Sequence, residues 1–357
     1  MDKLLHRIRG LAERGERITT EDCRALFDVH DLNEFSRLGR LMRERRYGRE
    51  AFFRVADSVV YRGEHPGLFL SEVETVIPEE SVEVLVKVEW GGEDSAAQWR
   101  DRFRQFGESS LPLTLSLTAS FLARMAEDVG VSFAEIAQEI QALVPLFISG
   151  RDGLLFDETW RSEHGGEGIS GEGWLAVHDA LHQAGLRSEG GMVYHTSWSP
   201  DLYVHHLELI RLLQDKTEGF ESFAPMAWRE SSPTSPYLAI PTASTTLKVM
   251  TICRLFLDNI PHIVASPGLS DPELAYVALS YGADTVDPTI RTDDLSVREI
   301  DSSSDSAMGL PVLSEGDRRE RNGVDLQVVE ERIEEARFRP VPVLSSGERL
   351  ELVRGEE

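Results

Sequence analysis

Through its middle the chain alternates repeatedly between short apolar runs of strand period and longer segments of helical period. The clearest strand pattern is residues 82–90, where Val82, Val84, Val86, Val88 and Trp90 alternate with Glu83, Leu85, Lys87 and Glu89 before Gly91-Gly92 stops the run. LPLTLSL (111–117) alternates likewise, and SFAEIAQEIQALV (132–144) puts Phe133, Ile136, Ile140 and Val144 on one side of a helix. After the loop ISGRDGLLF come the helix GEGWLAVHDALHQAGL, the strand GGMVYHT, the helix HHLELIRLLQDKT and the strand FESFAP. The helix TTLKVMTICRLFLDN, the strand HIVAS and the helix PELAYVALSYGA complete the series. Strands separated by helices are joined by crossovers rather than hairpins, so the sheet they build is mostly parallel. With this many units, a closed or partial (β/α) barrel is favoured over an open doubly wound sheet.

The flanks read differently. Residues 1–47 are helical, with Leu4, Ile8 and Leu11 at helical spacing and Thr19-Thr20-Glu21-Asp22 opening a second helix before CRALF. This segment is placed as a cap ahead of the barrel. AFFRVADSVVY, from Ala51, reads as one strand, the first of a barrel over residues 48–290, and YRGEHPGLFLSE reads as the loop after it. Residues 291–323 are polar, acidic and serine-rich, the composition of a flexible linker. Residues 324–357 return to helical spacing through Leu326, Val329, Ile333 and Ala336, a tail expected to dock on the barrel.

A chain of 357 residues accommodates one barrel of about 250 residues plus such additions. Lys and Arg number 37 against 62 Asp and Glu, a net charge of −25 that opposes phosphate neutralisation and excludes nucleic acid as a partner. No run approaches the roughly 18 apolar residues of a membrane span, and the first residues, MDKLLHRIRGLAERGERITTED, lack the apolar core of a secretory signal, so the cytoplasm is the expected location. The 2 cysteines, Cys23 and Cys253, are too few and too far apart for a disulfide framework.

Three blocks, GWLAVHDALHQAGL, HHLELIRLLQDKTEGFESFAP and TTLKVMTICRLFLDN, together resemble the radical SAM enzymes of the futalosine route to menaquinone. These are aminofutalosine synthase and dehypoxanthine futalosine cyclase, with the deazaflavin FO synthases more distant. The resemblance covers residues 132–289 closely and 17–92 loosely, and implies an α/β fold, a TIM-type or partial barrel of radical SAM type with N-terminal helices and a C-terminal helical extension. It also implies three cysteines at CxxxCxxC spacing, which hold three irons of a four-iron cluster and leave the fourth open to SAM. Ungapped placement puts those positions at His65, Phe69 and Glu72. No thiol stands there, and none lies between Cys23 and Cys253. No cofactor is therefore expected: no iron–sulfur cluster, and SAM binding weak or absent.

The remaining site positions are partly altered. Gly91-Gly92-Glu93 matches the family's glycine-rich turn that contacts SAM, and equally suits a plain strand-ending turn. Arg151 and Asp152 replace glycines of the family's PGGGAEIF, and Leu154 replaces its acidic residue. Tyr194 and His195 end the strand GGMVYHT, where barrel strands present ligand-facing groups, but His195 and Thr196 stand where the family has glycine and histidine. His178 and His182 share a helix face four residues apart, half of a metal site by spacing, though they match helix histidines of the family and no metal is expected. Arg254, Asp258 and Asn259 suit either substrate contact or a salt-bridge network, Phe220 and Phe223 suit the core more than stacking on a substrate, and Cys253 suits a buried small residue more than a nucleophile.

The candidate ligand-binding residues are thus Gly91, Gly92, Glu93, Tyr194, His195 and Arg254, with His195, His178 and Glu93 as candidate acid/base groups. The expectation is a cluster-less, non-catalytic relative binding a nucleoside-like or aromatic ligand or a futalosine-pathway protein. The alternative is a non-radical enzyme acting on such a substrate at the barrel mouth.

Overall fold

The structure is a computed structural model, and it describes residues 2–63, 65–79, 81–90, 94–164, 168–228, 241–265, 273–288 and 326–350. The turn Gly91-Gly92-Glu93 and the linker 291–323 lie outside the described residues.

Helices α1 (Asp2–Arg14), α2 (Thr20–Leu26) and α3 (Leu32–Tyr47) come first, and α2 opens where Thr19 and Asp22 cap it reciprocally. Strands β1 (Glu50–Arg54) and β2 (Asp57–Tyr61) follow, then α4 (Pro66–Val76), β3 (Val84–Val88), α5 (Ala96–Gly107) and β4 (Leu113–Thr118). Next are α6 (Ala119–Val129), α7 (Phe133–Gln141), β5 (Leu146–Ser149), α8 (Glu158–His164), α9 (Gly171–Gln183) and β6 (Ser188–Tyr194). The series continues with α10 (Pro200–Thr217), β7 (Phe220–Ala227), α11 (Ala243–Phe256), β8 (His262–Ala265), α12 (Glu273–Ala278) and β9 (Thr285–Val286). Helix α13 (Leu326–Glu335) and strand β10 (Arg339–Val343) complete it.

Every strand ladder is parallel, as the alternation predicts. One sheet runs β10-β1-β9-β8-β7-β6 and the other β2-β3-β4-β5, and together they form the barrel. The run AFFRVADSVVY, read as one strand, is two. The Val55 N–H donates to Val343 O of β10, whereas the Asp57 N–H donates to Glu83 O ahead of β3. The run therefore changes partners at Val55-Ala56 and carries the chain from one sheet to the other. Opposite, the sheets meet where Gly150 lies against β6: a Cβ on Gly191 would come 2.2 Å from the Gly150 oxygen. Only glycine permits that approach.

Two further differences concern the ends of the barrel. The segment YRGEHPGLFLSE, read as a loop, contains α4, with Pro66 at its first position and Phe69, Val73 and Ile77 buried. The tail does not end as a helix: after α13, Arg339–Val343 forms the edge strand β10, paired in register with β1. Pro340 and Pro342 concealed it in the sequence, yet an edge strand tolerates a residue without an N–H. The N-terminal helices lie along the barrel's side, where Gly39 of α3 packs directly on the Tyr281 backbone and Thr20 of α2 bonds Glu208 of α10 at 2.8 Å.

Candidate functional site

Strand parity decides which side chains face the lumen. In β6 the Ser188 hydroxyl points outward to the helix layer, bonded to His178 Nδ1 at 2.8 Å and His182 Nε2 at 2.7 Å. Glu189, its neighbour, points inward and accepts from Arg54 Nη2 at 2.6 Å. Arg54 also pairs with Asp287, and its guanidinium lies 4.8 Å over the Phe147 ring. Ser222 Oγ donates to Glu189 at 2.9 Å. Arg54, Glu189 and Asp287 are all buried, so this triad fills the barrel's waist.

Continuing the alternation past Glu189 sends Tyr194 outward and His195 inward. Tyr194 was expected to face a ligand, but its hydroxyl donates to Thr246 of α11 at 3.0 Å and burial pushes its pKa up. His195 stands at the C-terminal mouth. Its backbone N–H donates to the Tyr203 hydroxyl at 3.0 Å, and that hydroxyl donates back to His195 O at 2.6 Å. Its Nδ1 is bonded to Ser197 Oγ at 2.7 Å, and its buried Nε2 has no partner among the described residues.

Around His195 the structure assembles aromatic residues that lie far apart in the sequence. The Trp198 ring lies 5.5 Å from His195, 5.0 Å from Trp160 and 5.9 Å from Trp228, and Trp160 stacks on His164 at 4.7 Å and 8°. These residues come from the stretches after β5, β6 and β7: Trp198 and Trp228 within a few residues of a strand end, Trp160 and His164 on α8. Their place after successive strands was the one available signal. The Nε1 atoms of Trp160 and Trp228 are buried without partners among the described residues. Beside them, past the ends of β3 and β4, a groove of about 300 Å³ is lined by Glu89, Trp90, Thr118, Phe121, Arg124 and Arg151. The Arg124 guanidinium lies 4.2 Å over the Trp90 ring.

The other expected site residues lie elsewhere. His178 is wholly buried between α9 and the sheet, 3.7 Å from the Trp174 ring, and burial with His182 beside it drives its pKa well down. It cannot reach the mouth, so it is neither an acid nor a base there. His182 is held by Ser188 and by Thr217 Oγ1 at 2.9 Å, and burial lowers its pKa to about 4. Arg254 is spent on a buried network, with Nε donating to Gly282 O at 2.9 Å, Nη1 to Pro261 O at 3.0 Å and Nη2 paired with Asp284. The salt-bridge reading holds for it, as the core reading does for Phe220 and Phe223, both fully buried. Asp152 does not crowd the mouth: its carboxylate accepts from Ser120 N–H at 2.7 Å and Trp174 Nε1 at 2.8 Å. Leu154 takes a left-handed φ of 49°, strained for leucine, and its carbonyl accepts from Val193 N–H at 3.1 Å.

The three positions matched to the cluster cysteines all fall on α4 or its start. His65 is its exposed N-cap, Glu72 is exposed, and Phe69 is buried with its ring 4.8 Å from Tyr61 and 5.9 Å from Phe106. Cys23 and Cys253 are buried in helices on the barrel's outside, and burial pushes the Cys23 thiol to about 12 and Cys253 well up. A site-differentiated cluster needs thiolates on one loop. These residues do not fit one.

Fold and mouth thus define the class: a parallel (β/α) barrel with an aromatic C-terminal mouth. The barrel superimposes on methylornithine synthase (PylB) with a TM-score of 0.63 at 14% identity, covering 95% of this chain and 98% of that one. No family model matches. Among curated proteins, the chain is 25% identical to aminodeoxyfutalosine synthase from Thermus thermophilus, over 77% of this chain and 82% of that one. It is 33% identical to cyclic dehypoxanthine futalosine synthase from Streptomyces coelicolor, over 47% of this chain and 42% of that one. Over about three quarters of its length the chain is thus similar to a synthase of the futalosine pathway. Among the described residues no helix is long and apolar enough to cross a membrane.

Proposed function

We propose that this chain is a cluster-less relative connected with futalosine-dependent menaquinone biosynthesis, which binds a nucleoside-like or aromatic small molecule at the barrel mouth as a non-catalytic binding or partner subunit. One contrast carries the reading. The segment where relatives of this type would hold their cluster has become a helix with Phe69 packed in its core, while the mouth keeps Trp160, Trp198, Trp228 and His195 together. Flat rings favour a flat ligand. The buried Nε1 atoms of Trp160 and Trp228 and Nε2 of His195 supply polar contacts that nothing among the described residues takes up.

A ligand at a hundred times its Kd adds about 2.7 kcal/mol to unfolding, a clear shift in melting temperature. Melting curves with nucleosides and aromatic acids, for the wild type and His195→Ala, test the mouth: a shift in the wild type that shrinks in the variant supports the reading, and no shift with any of them refutes it. Anaerobic reconstitution with iron and sulfide tests the cluster. A spectrum and iron content corresponding to roughly four irons per chain would overturn the cluster-less reading.

A second reading, turnover of the ligand by non-radical chemistry, rests on His195, whose Nδ1 is fixed by Ser197 while Nε2 has no partner among the described residues. Product formation by the purified protein alone, abolished in His195→Ala, separates it from the first.

A further inference from the structure

We propose a second ligand site at the opposite end of the barrel from the mouth, a cavity of about 500 Å³ suited to a planar aromatic ring bearing a negative charge. Its walls are the first residues of the strands, among them Phe52, Ser222, His262 and Thr285, with Phe147 of β5. Its floor is the hairpin 343–349, in which Gly347 turns with φ +87 and Val343 bridges Arg349. Arg54 of the buried Arg54–Glu189–Asp287 triad lines this cavity, and none of the mouth residues Trp160, His195, Trp198 and Trp228 does. The volume falls within the roughly 300–1,000 Å³ of small-molecule sites.

Three features give the ligand its chemistry. The first is flat surface: His262 stacks on Tyr47 at 5.0 Å and 11°, and meets the Phe52 ring edge-on at 5.0 Å. The second is charge. Arg54, Arg187, Arg349 and Glu221 line the cavity, whereas the carboxylates paired with Arg54 and Arg349, namely Glu189, Asp287 and Glu50, do not. Arg187 is itself paired with Glu221, so all three guanidinium groups are ion-paired, and what the cavity offers an anionic group is their remaining N–H donors rather than a net positive charge. The third is unused hydrogen-bonding capacity. Ser345 is 4% exposed and its Oγ has no partner among the described residues. His262 Nδ1 lies 2.6 Å from Asp284 Oδ1, whose carboxylate is also paired with Arg254, so Nδ1 carries a proton and the bond fixes the orientation of the ring.

The probes are 2-naphthoate and its uncharged analogue 2-naphthamide, titrated by calorimetry into the wild type, Arg349→Gln, Arg349→Lys, Arg187→Gln and His195→Ala. Arg349 and Arg187 have side chains 58% and 55% exposed, so folding tolerates their loss, and a melting curve of each variant verifies it. At the arginine-lined cavity one naphthoate is expected per chain, titrating separately from any His195-dependent binding at the mouth, with naphthamide about tenfold weaker or more there, as a lost charge-assisted bond implies. Arg349→Gln or Arg187→Gln weakens naphthoate comparably, Arg349→Lys restores most of the affinity, and His195→Ala changes nothing at this cavity. The proposal is overturned by the absence of naphthoate binding, by equal binding of the amide, or by affinity that falls in His195→Ala and not in the arginine variants. That last result would support the mouth instead, so the two sites are judged separately.

Discussion

Lowering the pH from 8 to 5 should unload stability from a layer of neutral histidines between the sheet and the helices α9 and α10. His206 is fully buried, stacked at 3.9 Å on Phe156 and bonded through Nε2 to Gly191 O at 2.9 Å. Burial lowers its pKa from 6.5 to about 3. The unfolded chain therefore binds a proton below pH 6.5 that the folded chain refuses. The stability this group contributes is complete above 6.5 and lost as pH falls toward 3. At pH 5 the unfolded histidine has gained log(1 + 10^1.5), about 1.5 pK units, and the folded one almost nothing, a loss of about 2 kcal/mol at 1.36 kcal/mol per unit. His182, lowered by burial to about 4, loses a similar amount, and His178 shifts in the same direction. Urea unfolding of the wild type and His206→Gln at pH 8, 6.5 and 5 isolates the effect, because the acidic side chains titrate alike in both. The variant is less stable at pH 8, and the gap should close by about 2 kcal/mol at pH 5. Parallel stability curves would refute the reasoning and mean that His206 is protonated in the folded protein.

The other expectations are simpler. Gly191→Ala forces a Cβ to 2.2 Å from the Gly150 oxygen at the junction of the two sheets, and should lower stability by about 1–3 kcal/mol in thermal melts, with an unchanged melting temperature contradicting the seam. Phe69→Ala empties the centre of the α4 aromatic contacts and should cost about 3–5 kcal/mol by urea titration, whereas a neutral result would mean the ring is not packed there. Arg54→Met leaves Glu189 and Asp287 buried without their cation, and should destabilise by about 3–5 kcal/mol at neutral pH, with part of the loss recovered in acid.

The barrel was legible in the sequence because its signal is repeated. Strand and helix alternate repeatedly from residue 111 to 266, so missing α5 after β3, and β5 inside a run read as helix and loop, does not overturn the pattern. What escaped was local and unrepeated. Proline at alternate positions hid β10, although its edge location makes those prolines harmless. The glycine and proline opening of α4 read as a turn, while the buried side of that helix is defined by Tyr61 and Phe106, which the sequence cannot bring beside Phe69. The site was less legible than the fold. Parity alone would have turned Tyr194 away from the lumen once Glu189 was known to face it, but that required Arg54 from a distant strand. Likewise Trp160, Trp198 and Trp228 lie on three separate connections, and only closure of the barrel makes them neighbours.

The two sheets also differ in when synthesis can complete them. Strands β2 to β5 pair with successive neighbours and are all available once residue 149 has been made. Strand β1 waits: its ladder partners are β9, at residues 285–286, and β10, at residues 339–343. At ~5–20 residues per second, a ribosome needs about 15–60 s to travel from β1 to β10; until β9 is made Phe52 and Phe53 sit on a strand with both edges bare, and from then until β10 is made one edge remains bare. An unpaired strand edge is a template for association with other chains. A nascent chain of this protein is therefore most exposed to misassembly at its beginning, and a stop codon ahead of residue 339 leaves one edge of β1 permanently open.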